Sequence, residues 1–325
     1  MTKAILGIHH ITAIAGDPQR NIDFYTGLLG LRLVKVTVNF DDPSSYHFYY
    51  GDGQGNPGTI LTFFAWPGAW QGRRGNGQVT ATSFAVPQGS LAFWRERLTA
   101  KRASFDGPVE RFGQKTISFA DDDGLRLDLV ETAATDAARV WTGSSVPPEF
   151  AIRGFHSATL SETGYQRTAT LLTEQMDFRL LGQEQNRFRY EVSDGGASKT
   201  VDVVCAPGGQ EGRVAAGTVH HIAWRTADDV QQREWLAEVG RLGYNVSPVM
   251  DRVYFHSIYF REPGGILFEI ATDSPGFAVD EPLDKLGSTL ALPPWLEPQR
   301  SRIEAALQPI QLQSIELQSI RRRSS

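Results

Sequence analysis

Read for the spacing of its apolar positions, the chain falls into four similar stretches with a period of roughly 65 to 75 residues, each running strand, helix, then three strands. In the first, Gly7 to Ile14 alternates as a strand does, and Asp17 to Leu29 carries Ile22, Phe24, Tyr25, Leu28 and Leu29 at helical spacing. Strands are expected at Leu31 to Phe40, Ser45 to Tyr50 and Thr59 to Ala65. Asp17 followed by Pro18 reads as an N-cap with proline at the first helical position. The second stretch opens at Gln78-Val79, has its helix from Gly89 to Ala100, and closes on a strand from Gly124 to Val130. The third opens at Gly154-Phe155-His156, has its helix from Gly164 to Met176, and closes at Thr200 to Val204. The fourth opens at Thr218-Val219-His220-His221, has its helix from Ala227 to Leu242, and closes at Gly265 to Ile270. The expected fold class is α+β: four βαβββ modules at 1–70, 75–135, 150–207 and 215–275, then a C-terminal extension at 276–325.

Aligning the closing strands on Gly58, Gly124 and Gly265 puts Thr62, Asp128 and Glu269 at one equivalent position, and Asp202 joins them if its turn is two residues longer. The opening strands likewise make His10, Ser157 and His221 equivalent. Modules one and four also match in Tyr46-His47-Phe48-Tyr49-Tyr50 against Phe255-His256-Ser257-Ile258-Tyr259.

Composition changes this picture little. The chain of 325 residues is 41% hydrophobic and 21% charged with a net charge of −5, which is ordinary for a globular protein and offers no basic stripe for nucleic acid. The lone Cys205 excludes an internal disulfide and a thiolate metal cluster. With no targeting pattern after Met1 and no long apolar run, a cytoplasmic protein without a membrane role is expected. Histidine is the informative residue: four of seven lie in the pairs His9-His10 and His220-His221. Neutral imidazoles together with a carboxylate suit a borderline divalent cation such as Fe(II).

Four such modules, with ligand-type residues on their first and last strands, resemble the vicinal oxygen chelate superfamily. Within it, the two His-His-Ile segments, Asp23-Phe24-Tyr25 and Pro263-Gly264-Gly265-Ile266-Leu267-Phe268-Glu269 look like ring-cleaving dioxygenases that act on substituted hydroquinones. Leu292-Pro293-Pro294-Trp295-Leu296-Glu297 is similar to a segment such proteins carry after the fourth module. The resemblance implies two pseudo-symmetric half-barrel-like domains. Modules one and four would pair around a metal, leaving two and three to form the other half. It implies His10, His221 and Glu269 as ligands of Fe(II), with Mn(II) as an alternative, and a small aromatic diol and O₂ as substrates. Two imidazoles and one carboxylate leave about three metal positions open. Arg252 and Tyr259 take the places of an Arg and a Tyr found near those open positions.

Other readings stand beside this one. A glyoxalase-like isomerase of the same superfamily would draw a fourth ligand from the position of Thr62, and threonine ligates such a metal poorly; a small-molecule-sequestering member would need no metal. Strand alternation places His9 and His220 on the face opposite His10 and His221, as structural or supporting groups. His156 aligns with His9 and reads as structural, and Asp128 and Asp202 as remnants or solvated residues. His256 and its counterpart His47 are further acid–base candidates, and Thr12 shares a strand face with His10. Phe48, Tyr49, Phe63, Phe255 and Phe268 are candidate pocket walls. A homo-oligomer is compatible with the sequence. The tail repeats Leu-Gln-Ser-Ile at Leu312 to Ile315 and Leu317 to Ile320 and carries no functional assignment.

Overall fold

The computed structural model describes residues 3–133 and 140–312, so most of the repeated tail segment lies outside the described residues. Among the described residues the framework is two eight-stranded sheets, each with an antiparallel pair of opening strands at its centre. The first holds β1 (Ile8–Ala15), β2 (Arg32–Asn39), β3 (Asp42–Gly51), β4 (Ile60–Ala65), β13 (Thr218–Thr226), β14 (Met250–Asp251), β15 (Phe255–Arg261) and β16 (Leu267–Pro275), in the order β14-β15-β16-β13-β1-β4-β3-β2. The second holds β5 (Gln78–Pro87), β6 (Phe105–Arg111), β7 (Gln114–Ala120), β8 (Arg126–Thr132), β9 (Phe155–Glu162), β10 (Phe178–Glu184), β11 (Arg187–Val192) and β12 (Thr200–Cys205), in the order β10-β11-β12-β9-β5-β8-β7-β6. Every module closes on a strand lying parallel to its own first strand, β1 with β4 and β13 with β16, a connection that needs the intervening helix and strands. The α+β class and the two curled, pseudo-symmetric sheets follow from the repeat.

Helix α1 (Pro18–Ile22) starts as its cap predicts: Asp17 is extended and its side chain accepts the Arg20 N–H at 2.8 Å. The expected single helix then continues over Asp23–Leu28 as a π-helix, whose wider turn keeps Phe24, Tyr25 and Leu28 buried. The same change occurs in module three, where α3 (Gln166–Thr170) passes into a π-helix over Leu171–Gln175. α2 (Leu91–Ala100) and α4 (Asp229–Arg241) are regular, the latter capped by Asp228. β1 is buried along its whole length.

The halves are tied by backbone. Gly58 donates to the His9 carbonyl at 2.9 Å and accepts from the Phe155 N–H at 2.8 Å. Gly217, at φ +79°, lies so close to the Asp123 carbonyl that a Cβ would overlap it. The extension bridges β2 through Val36 and Leu290, and buried Lys35 holds Asp280 and Glu281 against the sheet.

A second tie is acidic. Glu162 at the end of β9 and Glu262 in the β15–β16 turn are both buried and share the Thr168 hydroxyl, at 2.7 and 2.6 Å. A hydroxyl has one proton, so one carboxyl must itself be protonated to complete both bonds. Burial and the neighbouring Glu262 push Glu162 up to about 8. Its pKa is therefore higher folded than unfolded. The stabilisation is complete below the ordinary carboxylate pKa and is lost as pH rises through about 8. The unfolding temperature of the wild type should fall between about pH 4.5 and 8 and level off above that, and Glu262→Gln should flatten that fall by roughly 2–4 °C; parallel profiles for the two proteins would contradict the shared proton.

Candidate active site

The centre of the first sheet is irregular where the histidines sit. On β1, Ile8 pairs with Trp224 and His10 with Ala223, leaving His9 as an extra residue; on β13, Thr12 pairs with His221 and Ala13 with Val219, leaving His220 extra. Two β-bulges thus fall on the first histidine of each pair. A bulge interrupts alternation, and both rings of each pair consequently lie together instead of on opposite faces. This corrects the expectation from strict alternation: His9 Nδ1 lies 2.9 Å from His10 Nδ1, and His220 Nδ1 lies 2.8 Å from His221 Nδ1. Burial, then the adjacent His221, pushes His220 down to about 3, and burial and His10 lower His9 in the same sense. Each first histidine is therefore a neutral partner that engages Nδ1 of the second and leaves Nε2 free.

Those two Nε2 atoms face Glu269. His10 Nε2 is 3.2 Å and His221 Nε2 2.8 Å from Glu269 Oε2, and the three ligand-type atoms lie within 4.8 Å of one another. All three residues are buried. Glu269 Oε1 accepts from Ser257, while Oε2 has no hydrogen-bond partner among the described residues. Burial acts to raise the Glu269 pKa, but the two imidazoles hold the carboxyl well below its ordinary value. Two nitrogens and an orphaned carboxylate oxygen converging on one point fit a divalent cation of intermediate softness.

At the fourth corner, Thr62 is used up by its neighbours. Burial keeps His47 neutral, well below its ordinary pKa. Tyr49 Oη lies 3.0 Å from His47 Nδ1, His47 Nε2 lies 2.8 Å from Thr62 Oγ1, and Thr62 Oγ1 donates to Thr12 Oγ1 at 2.9 Å. The consistent proton order runs Tyr49 to His47 to Thr62 to Thr12. On the other side, Tyr259 packs edge-on against the His221 ring, with centroids 5.7 Å apart. Its phenol is pushed up by burial and by the Glu269 charge, and it accepts from Arg252 Nε at 3.2 Å. Arg252 pairs with Asp41, at 3.2 Å, and with neither Asp251 nor Glu262. It reaches the site because it lies in a turn between β14 and β15, where Val253 has φ +68°.

A cavity of about 350 Å³ opens on this face, lined by His10, Thr12, His47, His221, Arg252 and Tyr259 among the expected residues. Two expected site residues belong elsewhere. His256 points to the far face of β15, where Nδ1 meets Asp229 of α4 at 2.7 Å; its neighbours Ser257 and Tyr259 take the contacts with Glu269 and Arg252. Phe63 is core, packed on Tyr25 at 4.6 Å, because alternation after Thr62 directs Phe64 to the cavity instead. Of the candidate walls, Tyr49 and Phe255 line the cavity, and Phe48 and Phe268 are core. Asn39, Phe40, Asp41, Phe64 and Trp66 were missed. Period-two spacing from Thr62 was the available signal for Phe64; the β2–β3 hairpin offered none.

The second half lacks the cavity's chemistry. His156 is structural, buried between Ser157 and Gln114, and burial followed by Arg189 takes it down to about 4. Asp128 and Asp202 are not solvated: Arg111 pairs with the first, and Arg187 and Arg189 with the second.

Residues 7–129 and 154–270 match the model of the Glyoxalase/Bleomycin resistance protein/Dioxygenase superfamily, and the chain belongs to that family. Within it, the chain falls among the ring-cleaving dioxygenases. It is 49% identical to the provisionally named ring-cleaving dioxygenase MhqO of Bacillus subtilis (strain 168), over 97% of this chain and 100% of that one. It is 37% identical to chlorohydroquinone/hydroquinone 1,2-dioxygenase of Sphingobium indicum, over 91% and 94%. The crystal structure of a provisionally described dioxygenase from Bacillus subtilis superposes with a TM-score of 0.92 at 49% identity, covering 96% of this chain and 100% of that one. Glyoxalase I of Zea mays shares the fold, with a TM-score of 0.63 at 15% identity, over 82% and 92%. No helix among the described residues is long and apolar enough to cross a membrane.

Because the His256–Asp229 pair is partly exposed, His256→Gln should cost at most about 1 kcal/mol of stability and leave turnover within about twofold of wild type. A hundredfold loss of activity would return His256 to the catalytic set.

Proposed function

We propose that this enzyme is an Fe(II)-dependent dioxygenase that opens the ring of a hydroquinone-type aromatic diol and places both atoms of O₂ in the product. The observation that carries this reading is the convergence of His10 Nε2, His221 Nε2 and the unpartnered Glu269 Oε2 beside a cavity whose fourth corner is an already engaged threonine. These three residues would hold the metal; Mn(II) satisfies the same donors. When bound there, the metal would supply Lewis acidity toward a phenolate oxygen and a one-electron route past the spin barrier to O₂. A glyoxalase-type isomerisation would use a fourth protein ligand, and the Thr62 hydroxyl is committed to His47 and Thr12.

The remaining residues have separable tasks. Phe64, Trp66 and Phe255 give the cavity flat apolar walls suited to an aromatic ring. Arg252, cationic at the rim, offsets the negative charge of a deprotonated substrate. Tyr259 keeps its proton, since burial raises its pKa, and can deliver it to a substrate oxygen as the ring opens. His47 accepts from one side and donates on the other, so it positions Thr62 and Thr12 and has no lone pair free to take a proton.

Anaerobically prepared protein given Fe(II) should consume O₂ with hydroquinones, and Glu269→Gln should reduce that uptake more than about 100-fold, beyond what outer-shell changes cost. Fe(II) at a hundredfold excess over its Kd should raise the wild-type Tm by roughly 4 °C and leave that of Glu269→Gln unmoved. Tyr259→Phe should bind Fe(II) normally and lose about 10²-fold or more in kcat. No O₂ uptake across a broad panel of diols, or turnover of a thiol hemiacetal with Ni(II) in the absence of O₂, would overturn the reading.

A further inference from the structure

Beside the active-site cavity lies a second chamber of about 230 Å³, and Trp66, His220, His221 and Leu267 line both. Its remaining apolar lining includes Val79, Val219 and Ile266. Besides the two shared histidines, its polar side chains are Gln78 and Arg261. Gln78, at the start of β5, is 4% exposed; its Oε1 accepts the Gly75 N–H at 3.3 Å, and its Nε2 is buried without a partner among the described residues. The amide packs directly on Gly212, where a Cβ would overlap Gln78 Cδ. Arg261 stands at the same chamber, exposed, with one guanidinium nitrogen donating to the Gly265 carbonyl at 2.8 Å. No acidic residue lines it.

A buried donor with nothing to donate to costs free energy in the empty state and recovers it when a ligand supplies an acceptor. Arg261 adds a cation to the same lining, and about 230 Å³ is room enough for a ring substituent. We propose that this chamber is a specificity pocket for a carboxylate substituent on the diol ring, held by Gln78 Nε2 and Arg261 while the ring occupies the neighbouring cavity. The inference rests on the aromatic-diol reading of the active site. It gives the metal-free half a part in that site, since Gln78 belongs to the second sheet.

Calorimetry under nitrogen on Fe(II)-loaded protein compares 2,5-dihydroxybenzoate with hydroquinone and methylhydroquinone. The carboxylated ring should bind about tenfold or more tightly than either, the gain expected of one charge-assisted hydrogen bond. Gln78→Leu should erase that advantage and leave the hydroquinone Kd unchanged. Arg261→Gln, at an exposed position that leaves the core untouched, should weaken the carboxylated ring alone. Equal wild-type affinity for the three rings, or an advantage that survives both substitutions, overturns the proposal. Admitting O₂ afterwards reports ring opening separately, so binding selectivity without O₂ uptake would sustain the pocket while refuting the dioxygenase reading.

Discussion

Glu269 has no exposed surface, and withdrawing a carboxylate from water costs several kcal/mol unless opposite charge or hydrogen bonds replace the lost hydration. Ser257 satisfies one oxygen; the other has no hydrogen-bond partner among the described residues and faces only the imidazole nitrogens of His10 and His221. Much of the first sheet is organised around that oxygen. β13 runs parallel to β16 in a register that puts Ala223 beside Glu269, two positions past His221, and the central β1–β13 pair carries His10 to the same point from the opposite direction. The bulges at His9 and His220 then set a neutral ring behind each facing imidazole, which fixes which nitrogen points inward.

The second sheet meets the same problem with different chemistry. Its central pair is bulged at the equivalent places, Thr80 and His156, and its closing strands put Asp128 and Asp202 where the first sheet has Thr62 and Glu269. Both aspartates are buried. Arg189 grips Asp202 with two nitrogens at 2.7 and 2.9 Å, and Arg111 reaches Asp128 at 2.9 Å, so covalently attached cations neutralise charge at the positions where the first sheet collects histidines. The backbone scaffold is common to both halves, and the identity of the counter-charge is what differs.

This division explains what could be read in advance. The repeat, the strand order within a module and the equivalence of Thr62, Asp128 and Glu269 are properties of period and turn, and they are written locally. The two-residue offset needed to bring Asp202 into line is likewise visible, and its pairing with Thr159 matches that of Thr62 with Thr12. Bulges are not local: a single extra residue in one strand is defined only against its partner, so period two misdirected His9 and His220. His256 failed for a related reason. It aligns with His47 by sequence, but α4 offers it Asp229 on the far face of the sheet. Asp41 as the partner of Arg252 joins residues 211 positions apart, and no spacing rule reaches that far.

Thr62 shows how the two sides of the site come to differ although the backbone treats them alike. By symmetry it stands opposite Glu269, and a carboxylate there would complete a closed ring of protein donors. A hydroxyl has one proton and two lone pairs, and here it accepts from His47 and donates to Thr12. Turning it inward would break both bonds and leave buried His47 without an acceptor, at a cost of about 1–3 kcal/mol. The hydrogen-bond chain beginning at Tyr49 therefore holds that corner clear of protein ligands. The cavity lies on that side, bounded by Thr12, His47 and Tyr49.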